Sequence, residues 1–284
     1  MRVFSADTHQ GHRRSHNEDC YQANPELGLW LVADGVGGHS NGEVASAIVR
    51  DTLEKDVAKG TSLIDAIHHS HKDILDEIAT REGSNMGSTV VALQLRDDEY
   101  EVAWVGDSRA YLFDGSRLKQ ITRDHNPVSE MLARGAITPE QAANHPERNV
   151  LSQSLGVADT ITVAPDRIRG SLKSGEQILL CSDGLTDELS DAEIGQIMTN
   201  GGDPKVQVVK LIEAALNAGG RDNVTVVVVG AKAEPGSAGS SAPKEGDTLS
   251  NEEAVQTRAG SGHDKMVLAL LGAMVLLALL WVIW

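Results

Sequence analysis

The hydrophobic positions of this 284-residue chain fall into two periods. Short, nearly unbroken apolar runs recur, and three of them end on an aspartate: LGLWLVAD at Asp34, EVAWVGD at Asp107 and QILLCSD at Asp183. A fourth run, VTVVVVG from Val224, is instead preceded by Asp222. Runs of this length built from Val, Ile, Leu and Trp predict buried strands. More strands are expected at Ser88–Leu95, Ala110–Phe113, Arg117–Ile121 and Thr160–Val163, with hairpin breaks at Asp97-Asp98 and Asp114-Gly115 that imply antiparallel pairing.

Helical spacing is equally plain. Asn41–Val57 places Val44, Ala45, Ile48, Val49, Leu53 and Val57 on one face, and Ser62–Ile78 does the same with Leu63, Ile67, Ile74 and Ile78. Ser190 to Glu193 and Thr138 to Gln141 read as capping-box starts, and Asp203-Pro204 opens a helix that stops at Gly219-Gly220. The helices come in pairs separated by several strands. That order predicts an α+β layered sandwich of antiparallel sheets with helices packed outside.

The last fifty residues follow neither period. Residues 233–264 are rich in Gly, Ser, Ala, Pro and Glu, which cannot bury enough surface to fold, so a flexible linker is expected there. Met266–Trp284 holds nineteen residues without a charge. As a helix it would reach about 28 Å, close to one hydrocarbon thickness. Residues 265–284 are therefore expected to form a transmembrane helix, leaving an ordered domain at 1–232. Arg258, His263 and Lys265 precede the apolar stretch, so the positive-inside rule puts that domain in the cytoplasm. The expected location is the inner (cytoplasmic) membrane, tail-anchored.

Composition narrows the function. A net charge of −16 argues against nucleic acid as a partner. The two cysteines, Cys20 and Cys181, have no metal-ligand spacing and give no disulfide framework. The aspartates at the strand ends carry the chemistry. Each alone reads most simply as a turn residue, since Asp-Gly closes hairpins and caps helices. Four beside strands suggest something else: carboxylates gathered at the rim of a sheet would repel and raise one another's pKa, and a cation relieves that. Oxygen ligands select Mg2+ or Mn2+ over zinc. Gly35 and the glycines after it allow close backbone approach to an ion or a phosphate.

The motifs in order resemble the metal-dependent protein phosphatases of type 2C, in the compact bacterial form. They are GHRRSHNED (Gly11, Arg14, Glu18, Asp19), ADGVGGHSNGEVAS, MGST (Met86–Thr89), VGDSRAY (Val105–Tyr111), ITRDH (Ile121–His125), HPERNVLSQSLG (His145–Gly156), CSDGL (Cys181–Leu185) and RDNVTVVVV (Arg221–Val229). The resemblance covers about the first 230 residues. It implies a four-layer αββα sandwich and a protein serine/threonine phosphatase that hydrolyses phosphoserine and phosphothreonine monoesters with a metal-activated water. It further implies two Mn2+ or Mg2+ ions held by Asp34, Asp183, Asp222 and the Gly35 carbonyl, with Asp107 and Asp183 supporting a third, weaker ion. Glu18 and Asp19 would order waters around the ions, and Arg14 would bind the substrate phosphate. The implied partners are phosphorylated proteins, among them a eukaryotic-like Ser/Thr kinase and its targets. The competing reading is a catalytically silent phosphoprotein-binding regulator held at the membrane. It would require loss of a metal ligand, and every expected acid is present.

Lesser features remain. Some family members carry a histidine directly after the Asp-Gly, where this chain has Val36; His39 or a water would then supply the leaving group's proton, and water is favoured. Asp124–Arg148 is expected to form a mobile flap beside the cleft. His9 and His16 flank the first motif without a role. His68, His69 and His71 read as a solvated helix face, and Cys181 as buried packing.

Overall fold

The computed structural model describes residues 2–37, 41–81, 85–157 and 163–232. Strands β1 (Arg2–His9), β2 (Asp19–Asn24) and β3 (Leu29–Gly37) precede helices α1 (Asn41–Ala58) and α2 (Leu63–Thr80). Five strands follow: β4 (Met86–Ser88), β5 (Val90–Arg96), β6 (Glu99–Val105), β7 (Arg109–Phe113) and β8 (Leu118–Gln120). The short helices α3 (Pro127–Ala133) and α4 (Pro139–Ala143) lie in the expected flap. The remainder is β9 (Asp166–Ser171), β10 (Gln177–Cys181), α5 (Asp183–Thr186), α6 (Asp191–Gly201), α7 (Pro204–Ala218) and β11 (Val224–Lys232).

The strands form two antiparallel sheets. One runs β1-β11-β10-β7-β8; the other runs β2-β3-β5-β6-β9, with β4 paired to the far end of β3. Side chains alternate across a strand, so the unbroken apolar runs feed two cores at once. On β3, Leu29, Leu31 and Ala33 pack among α1 and α2 residues such as Val49, Leu53 and Ile67. Trp30 and Val32 face the other way, into a core between the sheets with Leu180 and Val227. On β11, Val224, Val226 and Val228 pack with Leu211 and Ile212 of α7, while Val227 and Val229 enter the space between the sheets. The result is the four-layer αββα sandwich.

The expected helices are present, and both capping boxes form at Thr138/Gln141 and Ser190/Glu193. Ser88–Leu95 is not one strand. It breaks at Thr89 into β4 and β5, because Thr89 turns its backbone and hydroxyl onto Asp34. Three strands had no clear sequence signal: β1, β2 and β9. All three are sheet edges, where one face or one side is open and polar residues alternate with apolar ones. Of Thr160–Val163, only Val163 is among the described residues, and it is buried outside any strand.

Contacts divide the chain into Met1–Ala238 and Gly239–Trp284. The linker expected at 233–264 and the transmembrane helix expected at 265–284 lie outside the described residues, as does His39. Among the described residues no helix is long and apolar enough to cross a membrane.

Candidate active site

Strand register brings the motif residues to one end of the sandwich. Asp34 lies near the end of β3 and pairs across from Asp19 on β2. Asp183 follows β10, and Asp222 precedes β11, whose first residues pair with the end of β10. Asp107 lies between β6 and β7. Arg14, Glu18, Asp34, Gly35, Asp107, Asp183 and Asp222 all line one cleft of about 200 Å³. Of the sequence-predicted site residues, Asp19 alone is not on its wall. It lies just beneath, where the Ser182 and Thr225 hydroxyls each donate to its Oδ2 at 2.7 Å. Asp19 thus ties the edge strand β2 of one sheet to β11 and to the residue that follows β10 in the other.

Gly35 has a sharper reason to lack a side chain than the sequence suggested. A Cβ there would stand 2.7 Å from the Glu18 carbonyl oxygen and closer still to that of Gly42. The glycine lets β3 pass directly beneath the first turn of α1, while its amide donates to the Glu18 carbonyl at 3.1 Å. Gly11, at a left-handed φ of +79°, similarly lets the Arg14 loop close on the backbone of Asp222.

Electrostatics at this end are strained. Burial, reinforced by Asp19, Asp183, Asp107 and Asp222, raises the Asp34 carboxyl well above its ordinary value. Burial and Asp222 push Asp183 to about 6; burial and Asp183 push Asp107 to about 8. Burial takes Asp19 to about 7 against the opposing pull of its Thr225 and Ser182 hydrogen bonds. Arg14 offsets part of this charge through a 2.5 Å ion pair with Asp222, which holds its guanidinium pKa up.

These residues suit a divalent cation. The Asp19 Oδ1 and Asp183 Oδ1 oxygens are buried with no hydrogen-bond partner among the described residues. Asp34 and Asp183 line the same cleft, close enough for each to shift the other's carboxyl pKa. Among the described residues, however, no three His, Cys, Asp or Glu side chains are drawn into a ready ligand cluster for one ion. The carboxylates instead line the cleft from separate segments of the chain.

Several supporting residues escaped sequence reasoning. Thr89 clamps Asp34 twice, its amide donating to the Asp34 carbonyl at 2.8 Å and its Oγ1 accepting the Asp34 amide at 3.1 Å. Asn223 shapes the loop before Glu18: its Oδ1 accepts the Glu18 amide, and its Nδ2 donates to the carbonyls of Gln10 and His16. Asp124 is buried in a bidentate pair with Arg109, at 2.7 to 3.1 Å, and roots the flap. Motif membership was their only sequence signal. A larger cavity of about 470 Å³ lies between the flap and α5–α6 and shares Asp107, Asn149 and Asp183 with the acidic cleft. His9 and His16 do not line either cavity. Cys181 is fully buried against the outer helices, and burial pushes its thiol to about 12.

Residues 1–131 match the protein phosphatase 2C family. The serine/threonine phosphatase stp of Listeria innocua serovar 6a is 34% identical over 236 residues, covering 78% of this chain and 93% of that protein. The chain belongs to the protein phosphatase 2C family. Among solved structures, the serine/threonine phosphatase PstP/Ppp of Mycobacterium tuberculosis superposes with a TM-score of 0.75 at 33% identity, covering 82% of this chain and 100% of that one. A structure of the PstP catalytic domain in complex with two manganese ions superposes at 0.72 with 32% identity, covering 81% and 99%. The similarity to these protein phosphatase 2C relatives extends over about four-fifths of the chain.

Proposed function

We propose that the chain is a metal-dependent phosphatase of phosphoserine and phosphothreonine in proteins, working with paired Mn2+ or Mg2+ ions. The carrying observation is that Asp34, Asp107, Asp183 and Asp222, from four separate segments, line one cleft with Arg14. Asp34, Asp183 and Asp222, with the Gly35 carbonyl, would hold two ions, and Asp107 with Asp183 a weaker third. Such ions offset the charge of a phosphate monoester and bring the pKa of a water toward neutrality. The manganese-bound relative supports this reading of the acids.

The chain's own residues do the rest. Arg14 is half exposed at the cleft, and its planar guanidinium can hold two phosphate oxygens at once. Asp222 keeps that guanidinium over the cleft before substrate arrives. Glu18 and Asp19 hold water and fix the depth of the site, Asp19 through Ser182 and Thr225. Val36 is exposed beside the cleft and has no ionisable group; of the two remaining donors, His39 and water, water gives the departing serine or threonine oxygen its proton.

The apolar stretch at 266–284 anchors the enzyme in the cytoplasmic membrane with the catalytic domain in the cytoplasm, where it opposes a eukaryotic-like Ser/Thr kinase. Removing residues 259–284 releases the protein to the soluble fraction if the anchor is real; persistent membrane association would refute it. For the chemistry, the full-length protein should hydrolyse a phosphothreonine peptide with Mn2+ and lose turnover in chelator. Asp34→Asn and Asp183→Asn should each cost roughly 100-fold or more. Undiminished turnover in chelator would overturn the metal mechanism.

A further inference from the structure

The histidine trio on α2 has no part in that chemistry, and its members separate in the fold. His69 turns to Asp56, 2.5 Å between Nδ1 and Oδ2, on an exposed surface. His71 is half-buried, and its Nδ1 accepts the Gly156 amide N–H at 3.1 Å. Burial and the neighbouring His68 lower the His71 pKa, which keeps that nitrogen free to accept.

Gly156 is clamped. It has a φ of +80°, and a Cβ on it would stand 2.6 Å from both Ile74 Cγ2 and the Met86 carbonyl oxygen. Helix α2 therefore holds this residue twice, through Ile74 by packing and through His71 by a hydrogen bond. One residue earlier, the fully buried Leu155 exchanges two backbone hydrogen bonds with Ser88, at 2.8 and 3.1 Å. The Ser88 hydroxyl has two acceptors in reach, the Thr89 carbonyl at 2.8 Å and the Asp34 carbonyl at 3.1 Å, and the adjoining Thr89 amide donates to the Asp34 carbonyl at 2.8 Å. In the other direction this leg carries Leu151 and Asn149 to the wall of the acidic cleft. Its Ser152 amide donates to the His125 carbonyl at the flap's origin, 2.8 Å away.

We propose that His71 is a positioning residue for the catalytic cleft: it holds the returning leg of the flap, residues 149–157, against the β3–β4 junction that fixes Asp34. The brace stands on geometry alone; its consequence for metal binding rests on the phosphatase reading. A solvated face explains none of this for His71, since its ring nitrogen satisfies a part-buried amide donor 85 residues away.

The experiment compares full-length wild-type protein with His71→Leu, which has no acceptor, and His71→Asn, whose Oδ1 can take the place of Nδ1. Hydrogen–deuterium exchange over residues 151–157 and calorimetric titration with Mn2+ are the readouts. His71→Leu should speed exchange at Leu155 and Gly156 about tenfold or more. It should weaken Mn2+ binding about 10-fold, the low end of effects seen for outer-shell partners. His71→Asn should stay within about twofold of wild type on both readouts. Wild-type exchange and Mn2+ affinity in His71→Leu would overturn the proposal. So would equal impairment in His71→Asn, because packing rather than the acceptor would then be responsible. Exchange that separates Leu from Asn in a protein binding no Mn2+ would uphold the brace and refute the phosphatase reading instead.

Discussion

Replacing Gly35 by alanine puts a methyl group into backbone on two sides. The new Cβ would lie 2.7 Å from the Glu18 carbonyl oxygen and nearer still to that of Gly42, where ordinary contact begins at 3.4 Å. Relief of the Glu18 contact alone requires a shift of about 0.7 Å, and the closer Gly42 contact requires well over 1 Å between β3 and the first turn of α1. None of these is a flexible side chain that can swing aside. The amide of Gly35 is also committed to the Glu18 carbonyl, and Gly35 pairs with Ser88 of β4. Overpacking a well-filled site typically costs 1 to 3 kcal/mol, and a backbone-on-backbone clash belongs at the top, about 3 kcal/mol. For a domain of this size that corresponds to a fall in Tm of about 6 to 12 °C. Because the same shift displaces Asp34 and Glu18, Mn2+ affinity should fall about 10- to 100-fold. Thermal melts and Mn2+ titration calorimetry on full-length protein read both effects. Gly195→Ala in α6 is the control: its Cβ meets only Leu118 Cβ at 3.4 Å, and helix propensity favours alanine by up to about 1 kcal/mol. A Gly35→Ala protein within about 0.5 kcal/mol of wild type, with unchanged Mn2+ affinity, would refute the close-approach argument.

Two further predictions test the charge balance of the cleft. Asp183, Asp19 and Asp107 titrate near 6, 7 and 8 in the fold against an ordinary value of 3.8. The folded state therefore keeps protons that the unfolded chain has released, and stability of the metal-free protein should fall as pH rises from about 4 to 8. Saturating Mn2+ should flatten that slope; urea melts at stepped pH with and without metal measure it, and an upward slope without metal would contradict the sign. Ser182→Ala and Thr225→Val each remove a hydroxyl donor from the buried Asp19 carboxylate, a loss of about 1.5 to 3 kcal/mol near pH 8. The loss should shrink near pH 5, where Asp19 is protonated; a pH-independent loss would mean that packing, not charge, is at stake.

The layers of the fold were legible where strands are buried on both faces. The runs ending at Asp34, Asp107 and Asp183 became β3, β6 and β10, each interior to its sheet. The edges β1, β2 and β9 were not legible, because an edge strand such as DRIRGS at β9 buries too little to impose an apolar run. Within the site, the acids could be read because a lone carboxylate at the end of a buried strand is chemically conspicuous. Their supports could not. Ser182 and Thr225 meet Asp19 across 163 and 206 residues, and the Arg109–Asp124 pair depends on β7 and the flap root folding together. Hydroxyls and paired charges are common on any surface, so only three-dimensional proximity distinguishes these. His71 makes the same point in reverse: its place in a polar trio suggested solvent, and its tertiary partner gives it a task.

Anomalous diffraction at the manganese edge from crystals grown with Mn2+ tests the central claim most directly. The account predicts two strong peaks within the cleft, bounded by Asp34, the Gly35 carbonyl, Asp183 and Asp222, with any weaker third peak beside Asp107. No peak in that cleft at saturating Mn2+, or peaks only at surface carboxylates elsewhere, would contradict it.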